Sequence, residues 1–157
     1  MDSITLLDCR ASTTSLKGKI DAGVDFTTVC SEIYALSQED TAKFMACDEK
    51  RDLMDIYATL LRGDIASIGD QTLLLICLSL KSFANFKTFQ NILGSQQDVL
   101  DFLLCQFQSS SIPYNTRRAC IEALVFLSWN ETNQKIFAEI QDFLTDICKH
   151  ILLDDCD

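Results

Sequence analysis

The sequence predicts an all-α protein, and three of its features support that fold class. Only one proline and five glycines occur in 157 residues, of which 48% are hydrophobic and 23% are charged. Long stretches without proline or glycine favour continuous helices over a turn-rich sheet protein. Apolar residues also recur at helical spacing, and similar segments return about every 45 residues. A chain of this length can bury one hydrophobic core without a disulfide or a metal.

The first 22 residues, "MDSITLLDCRASTTSLKGKIDA", precede the repeating part of the chain. We interpret residues 1–22 either as a loosely held arm or as a short helix that caps the first unit. They contain no basic stretch followed by a long apolar one, so we expect no secretory signal.

Three units of about 45 residues are predicted after this segment, at 23–62, 63–109 and 110–157. Three markers give the period. A lysine followed by apolar residues recurs at spacings of 44 and 48, at Lys43, Lys87 and Lys135. One helix-like run begins at spacings of 46 and 44, at Asp52, Asp98 and Asp142, and another ends at spacings of 45 and 46, at Ser37, Ser82 and Ser128. A period of this length with two or three helices is typical of helical repeat proteins.

Individual helices within the units differ in how much of their surface they should bury. The segment from Leu73 to Leu80 is apolar on nearly all sides, which predicts a helix enclosed by its neighbours. The last helix carries a single apolar stripe, as expected at the end of a stack, formed by Ile140, Phe143, Leu144, Ile147, Cys148, Ile151 and Leu152. Pro113 is predicted to lie where the next helix begins, and Ser128 where that helix ends.

The segment "RRACIEALVFLSWNETNQKIF", residues 117–137, resembles the armadillo repeat. It has small residues at Ala119 and Ala123, where helices cross, and inward-pointing leucines at Leu124 and Leu127. The resemblance covers about residues 24–153 and implies an armadillo-like α-solenoid of about three helical repeats. HEAT-like and other α-solenoid variants remain open alternatives.

The resemblance also implies a surface where a partner would bind. Armadillo proteins bind extended peptides along the third helix of each unit, with a Trp and, four residues on, an Asn. The Asn places hold Ala35, Leu80 and Phe126, and the Trp places hold Ser31, Ile76 and Glu122. Because both ladders are missing, we expect the scaffold without this backbone-clamping mode.

An apolar line is predicted to replace the two ladders as the partner-binding site. It consists of Leu80 and Phe126, edged by Arg118, Glu122 and Trp129. Spaced apolar anchors of this kind suit a peptide or an amphipathic helix of a partner. The alternative for Leu80 and Phe126 is packing in the core. Trp129 is the better interface candidate, because tryptophan is enriched at binding hot spots.

Charge and cysteine content narrow the class of partner and the compartment. The net charge of −10 disfavours nucleic acid and suits a basic protein partner, although acidity also serves solubility alone. The eight cysteines form no Cys-x-x-Cys pair, and several are predicted to be buried, reduced thiols in apolar helices: Cys77, Cys105, Cys120 and Cys148. We therefore expect a cytoplasmic or nuclear protein. The longest apolar run, residues 73–78, is too short to span a membrane.

No catalytic, metal or cofactor site is expected. His150 is the only histidine, and its spacing of two from Cys148 places the two side chains on different sides of a helix. A metal site formed by Cys148, His150, Asp154 and Cys156 would have poor spacing for zinc. No glycine-rich phosphate loop is present. The sequence therefore predicts a non-catalytic protein-interaction module or scaffold.

Two further hypotheses remain open at this point. The chain could instead be a compact helical bundle similar to the small viral apoptosis inhibitors, which sequester an amphipathic helix in a groove. Such a bundle has no 45-residue period, and the Asn-Trp-Gly-Arg turn of its cellular relatives is absent. The amphipathic end helix also suggests the N-terminal part of a longer solenoid, or a homodimer formed through that end.

Overall fold

The structure, a computed structural model, describes residues 15–38, 50–63, 67–140, 142–143, 145 and 147–149. Within these ranges every regular element is a helix and none is a strand, which confirms the all-α class. A helical segment over 15–21 comes first. It is followed by α1 (Phe26–Gln38), α2 (Lys50–Leu61), α3 (Asp70–Ala84), α4 (Lys87–Gly94), α5 (Gln97–Gln108), α6 (Tyr114–Leu127) and α7 (Glu131–Glu139).

The predicted boundaries of α6 are confirmed. Pro113 occupies the N-cap position, where its fixed φ and missing N–H cost the helix nothing. Ser128 is the C-cap residue. Asn130 then begins α7, because its side chain accepts hydrogen bonds from the backbone N–H groups of Thr132 and Asn133 at 3.0 and 3.3 Å.

Helix α3 lies between α1 and α6, as its apolar sequence predicts. Its buried positions include Leu73, Ile76, Cys77 and Leu80. The Thr27 and Thr72 hydroxyls are 2.7 Å apart near the first turns of α1 and α3, and Gln38 donates to Ser82 at 2.7 Å near their last turns. These two contacts show that α1 and α3 run parallel.

Contacts between helices repeatedly join residues about 44 positions apart. The separation is 45 for Thr27 and Thr72, and 44 for Gln38 and Ser82. It is 43 for the Cys77 and Cys120 sulfurs, which lie 3.3 Å apart, and again 43 where Asn133 of α7 donates to the Gln90 carbonyl of α4 at 2.8 Å. Helices α2 and α5 also pack on each other.

Five of the six buried positions of α6 match buried positions of α3 at an offset of 44 residues. At this offset the buried positions pair as Thr72 with Thr116, Ile76 with Cys120, Ser79 with Ala123, Leu80 with Leu124, and Phe83 with Leu127. The sequence alignment used an offset of 46 here and paired Leu80 with Phe126. That pairing is wrong for these two helices, because it matches a core position with an outward-facing one.

Two of the four cysteines predicted to be buried are in fact exposed. Cys77 and Cys120 are in the core, whereas Cys105 and Cys148 are exposed, and the five described cysteines are all free. On α5 the buried stripe passes through Phe102, Leu103 and Gln106, which leaves Cys105 on the outer side. The position of a residue around the helix, and not its polarity, therefore decides that Gln106 is buried and Cys105 is exposed.

The end of the chain follows the predicted apolar stripe in part. Phe143 and Ile147 are buried, and Phe143 packs on Phe137 with ring centroids 4.8 Å apart. Cys148, also assigned to the stripe, faces solvent. Leu144, Ile151 and Leu152 lie outside the described residues, as do His150, Asp154 and Cys156.

The described part of the N-terminal segment contacts the helices that follow it. Leu16 is buried, and the Lys19 ammonium donates to the Glu32 carboxylate of α1 at 2.5 Å. Among the described residues no helix combines the length and the apolar character that crossing a membrane requires.

Candidate partner-binding surface

The outer side of α6 carries a cluster of exposed apolar side chains. Tyr114 is 44% exposed, Val125 is 37% exposed and Trp129 is 60% exposed. They make up three of the five large apolar side chains that are exposed in the described ranges. A spacing of 11 residues places Tyr114 and Val125 on one face of α6, and Trp129 follows directly after the C-cap residue Ser128. We call this surface the α6 face; it consists of Tyr114, Arg118, Glu122, Val125, Phe126 and Trp129.

Trp129 and Phe126 form the apolar end of the α6 face. Their ring centroids are 4.9 Å apart at an interplanar angle of 73°, the edge-to-face arrangement that aromatic pairs prefer. Phe126 is half-buried beneath Trp129. The indole therefore stands on an aromatic base and presents most of its surface to solvent.

Hydrogen bonds hold the joint that presents Trp129. The Ser128 hydroxyl donates to the Val125 carbonyl at 2.7 Å, and Gln134 of α7 donates to the Ser128 carbonyl at 2.9 Å. Asn133, which is fully buried, donates to the Leu127 carbonyl at 2.9 Å. The backbone on both sides of Trp129 is already fixed, so binding there costs little conformational entropy.

A polar groove begins beside Trp129. It has a volume of about 610 Å³ and runs between the α3–α4 and α6–α7 joints. Its lining residues on the first side include Asn85, Lys87 and Gln90, and those on the second include Asn130, Glu131 and Thr132. Amide groups and charges of both signs surround a single large apolar side chain, a composition suited to a peptide with one apolar anchor.

Charged residues in the middle of the α6 face form a small network. Glu122 contacts the Lys81 ammonium of α3, and it accepts from Arg118 Nε at 3.1 Å. Partial burial raises the pKa of the Glu122 carboxyl, but the hydrogen bonds from Lys81 and Arg118 outweigh this effect and hold the pKa below its ordinary value. The hydrogen bond to Glu122 likewise raises the pKa of Arg118. Both groups are therefore charged at neutral pH.

Four of the five predicted site residues lie together on the α6 face: Trp129, Phe126, Glu122 and Arg118. Leu80 does not belong to it, because its side chain is 1% exposed and lies in the core. At the 44-residue offset its counterpart is the buried Leu124, while Phe126 corresponds to the half-exposed Ser82.

The sequence analysis missed Tyr114, Val125 and Lys81. The first two share a helical face with Arg118, so a helical-wheel projection of 114–129 would have found them. Comparisons with protein-family models, with characterised proteins and with solved structures found no match. The described residues define an all-α protein that exposes aromatic side chains beside the joint between two helices.

Proposed function

We propose that this chain is a non-catalytic, armadillo-like protein-interaction module that binds a partner peptide or amphipathic helix on the α6 face. The observation that carries the proposal is the exposure of Val125 and Trp129 at the end of α6, where the Trp129 ring also packs on Phe126. Exposed apolar side chains cost solubility, and patches of them mark interaction sites more often than scattered ones do.

The repeat architecture is supported by the contacts between helices. Residues 43 to 45 positions apart meet in four places, and α3 packs between α1 and α6. A stack of about three units of this length would produce such contacts, because each unit covers the apolar side of the one before it. A bundle with one central helix gives no reason for these four contacts to share nearly the same separation.

The α6 face suits a partner with spaced apolar anchors and a polar edge. Trp129 and Val125 offer apolar contact, and the Lys81, Glu122 and Arg118 network offers both donors and acceptors. The negative net charge disfavours nucleic acid as the partner. We propose that the protein is located in the cytoplasm or the nucleus. We also propose that two copies can pair through an end helix.

The experiment compares two exposed aromatic residues in the tagged full chain. Trp129→Ala should abolish the recovery of specific partners in affinity purification with mass spectrometry. Phe26→Ala serves as the matched control, because Phe26 is 44% exposed but lies on α1, away from the α6 face. Replacing Val125 with a photo-crosslinking amino acid should then attach the same partners covalently.

Two results would count against the proposal. Equal recovery of partners by Trp129→Ala and Phe26→Ala would show that the α6 face is not the binding surface. A large loss of helical circular dichroism in Trp129→Ala would assign the indole to the core instead. Small-angle scattering tests the architecture separately, since a stack gives an elongated particle and a bundle a near-spherical one.

A further inference from the structure

A second groove lies on a different part of the molecule from the α6 face. It has a volume of about 680 Å³ and is formed by the end of α2, the start of α3, the outer side of α5 and the segment before α6. The residues that line it share no member with the α6 face or with the groove beside Trp129. A partner bound in this groove would therefore occupy a site separate from that of Trp129.

The floor of this groove is apolar and its rim is acidic. Leu73 and Phe102 are buried beneath it, and Asp70, Asp98 and Asp101 stand at its edges. Each charged side chain among the described residues that line it is an aspartate. We call it the aspartate groove. Phosphates and acidic segments are repelled from such a rim, whereas a cation that carries an apolar body gains both charge attraction and burial.

Arg62 shows that a guanidinium group can reach the rim. Its Nη2 and Nε atoms lie 2.8 and 2.9 Å from Oδ2 of Asp98, while its side chain remains 72% exposed. An exposed ion pair of this kind contributes little to stability, so an incoming cation can replace it. Asp98 is thus already arranged to accept a guanidinium.

The other two aspartates have no cationic partner among the described residues. Asp101 accepts from the Gln97 amide at 2.6 Å, and Asp70 lies exposed in the first turn of α3. Two uncompensated carboxylates beside an apolar floor leave a complementary position for two positive charges. Surfaces that bind amphipathic helices combine an apolar groove with charges that match the flanks of the helix.

We infer that the aspartate groove binds a basic amphipathic segment of a partner protein. The apolar side of the segment packs on the half-buried Ile68 and Ile112 of the groove, and its lysine or arginine side chains pair with Asp70 and Asp101. This surface acts independently of the α6 face. A protein with both surfaces can hold two segments at once, which is the behaviour of a scaffold.

The test uses a labelled synthetic 18-residue helix with leucines on one side and lysines on the other. Fluorescence anisotropy measures its affinity for the full chain at low and at moderate salt. Asp70→Asn with Asp101→Asn should weaken binding about tenfold. The matched control is Asp21→Asn with Asp55→Asn, which removes the same charge from a separate depression of about 120 Å³ and should change affinity less than about twofold.

A peptide with glutamate in place of lysine and one with permuted leucines should both fail to bind. Cys105 provides a reporter inside the groove, because it is exposed and lines the groove wall. The lysine peptide should slow alkylation of Cys105 but not of the exposed Cys148, as read by mass spectrometry. Cys105→Lys, which leaves every aspartate in place, should also block binding and covers the case in which the aspartate variants fold poorly.

Three outcomes would overturn the inference. Equal loss of affinity in the two aspartate double variants would show attraction to net charge alone. Unchanged affinity in Cys105→Lys would place the peptide elsewhere. Dimers in sedimentation equilibrium that Asp70→Asn with Asp101→Asn dissociates would show that a second copy occupies the groove. Trp129→Ala should leave peptide affinity unchanged, so failure here and failure of the α6 face are distinguishable.

Discussion

The inner sides of α3 and α6 are alike, whereas their outer sides are different. At an offset of 44 residues five of the six buried positions of α6 match buried positions of α3, including Thr72 with Thr116 and Leu80 with Leu124. The outer positions at the same offset do not, since Asn85 corresponds to Trp129. Packing against a neighbouring helix constrains one side of each helix only. The aromatic patch on α6 is therefore not required by the fold, and this difference is what points to binding.

The strongest test of the comparison is truncation at the two equivalent leucines. Leu80→Ala and Leu124→Ala should each lower the free energy of unfolding by about 3 kcal/mol, because both are fully buried. Phe126→Ala should cost clearly less, since its ring is half-exposed. Urea denaturation followed by circular dichroism measures all three. A cost for Leu80→Ala of less than about 0.5 kcal/mol, typical of surface substitutions, would contradict the 44-residue offset.

Helices α4 and α7 provide the next test, because their contact depends on a glycine. A Cβ atom on Gly94 would lie 2.0 Å from Oδ1 of the buried Asn133. Gly94→Ala should therefore destabilise the protein by about 2–3 kcal/mol, the cost of overpacking a core. Gly18→Ala is the matched control, since a Cβ there meets no atom within 4 Å.

In a helix, Gly→Ala at such an open site should stabilise by about 0.5–1 kcal/mol. Thermal melting of the two variants should thus shift in opposite directions. If Gly94→Ala also melts at a higher temperature, then Asn133 does not join α7 to α4 as described. A double variant with Asn133→Ala should recover part of the loss in Gly94→Ala, because the clash is then removed.

Stability at alkaline pH tests whether the buried inner side extends to α1. Burial, and next the charge of Asp25, raise the pKa of the Cys30 thiol to about 12, whereas its ordinary value is 9.0. Below pH 9 the thiol is protonated in both states. Between pH 9 and 12 only the unfolded state loses the proton, so the free energy of unfolding falls by about 1.4 kcal/mol per pH unit.

Cys30→Ala should remove this part of the slope. The pKa of Cys77 is raised by its hydrogen bond with Cys120 and by burial, and the pKa of Tyr57 is raised chiefly by burial. Both therefore act in the same direction and remain in the variant. Urea midpoints at pH 8.5, 9.5 and 10.5 measure the difference. Parallel curves for the two proteins would show that Cys30 is not buried.

The smallest change in the free energy of unfolding is expected in the charged middle part of the α6 face. Glu122→Gln should cost less than about 1 kcal/mol through the lost pair with Lys81, because both side chains are about one-third exposed. The difference from the unchanged protein should disappear in 1 M salt, which screens exposed ion pairs. A loss that persists in high salt would show instead that Glu122 has a packing role, and the α6 face would then resemble α3 more closely.

Much of the helical architecture could be predicted from local chemistry. Scarce proline and glycine give helices throughout, Pro113 and Ser128 bound α6, and the apolar run from Leu73 predicts the enclosed helix. These features depend on backbone conformation and on helical periodicity, which short segments determine by themselves. The repeat period of about 45 residues stays a prediction, which four contacts between residues 43 to 45 positions apart support.

The site could be predicted only in part, because exposure depends on neighbouring helices. Trp129, Phe126, Glu122 and Arg118 come from one segment, and their role in binding stays a prediction. Leu80 is aligned with Phe126 at an offset of 46 residues, with packing in the core as its alternative, and the structure buries it. A shift of two residues turns a helix by about 200°, which exchanges its inner and outer sides. For the same reason Cys105 is exposed while its neighbour Gln106 is buried.

The sequence alone determined that the described part of this chain forms helices, and where α6 begins and ends. Only the tertiary structure decided which side of each helix is covered, that Tyr114 and Val125 join Trp129 on one face, and that three aspartates surround an apolar groove. The physical reason is that hydrogen bonds within a helix are local, whereas burial and charge environment are created by contacts between segments far apart in the chain.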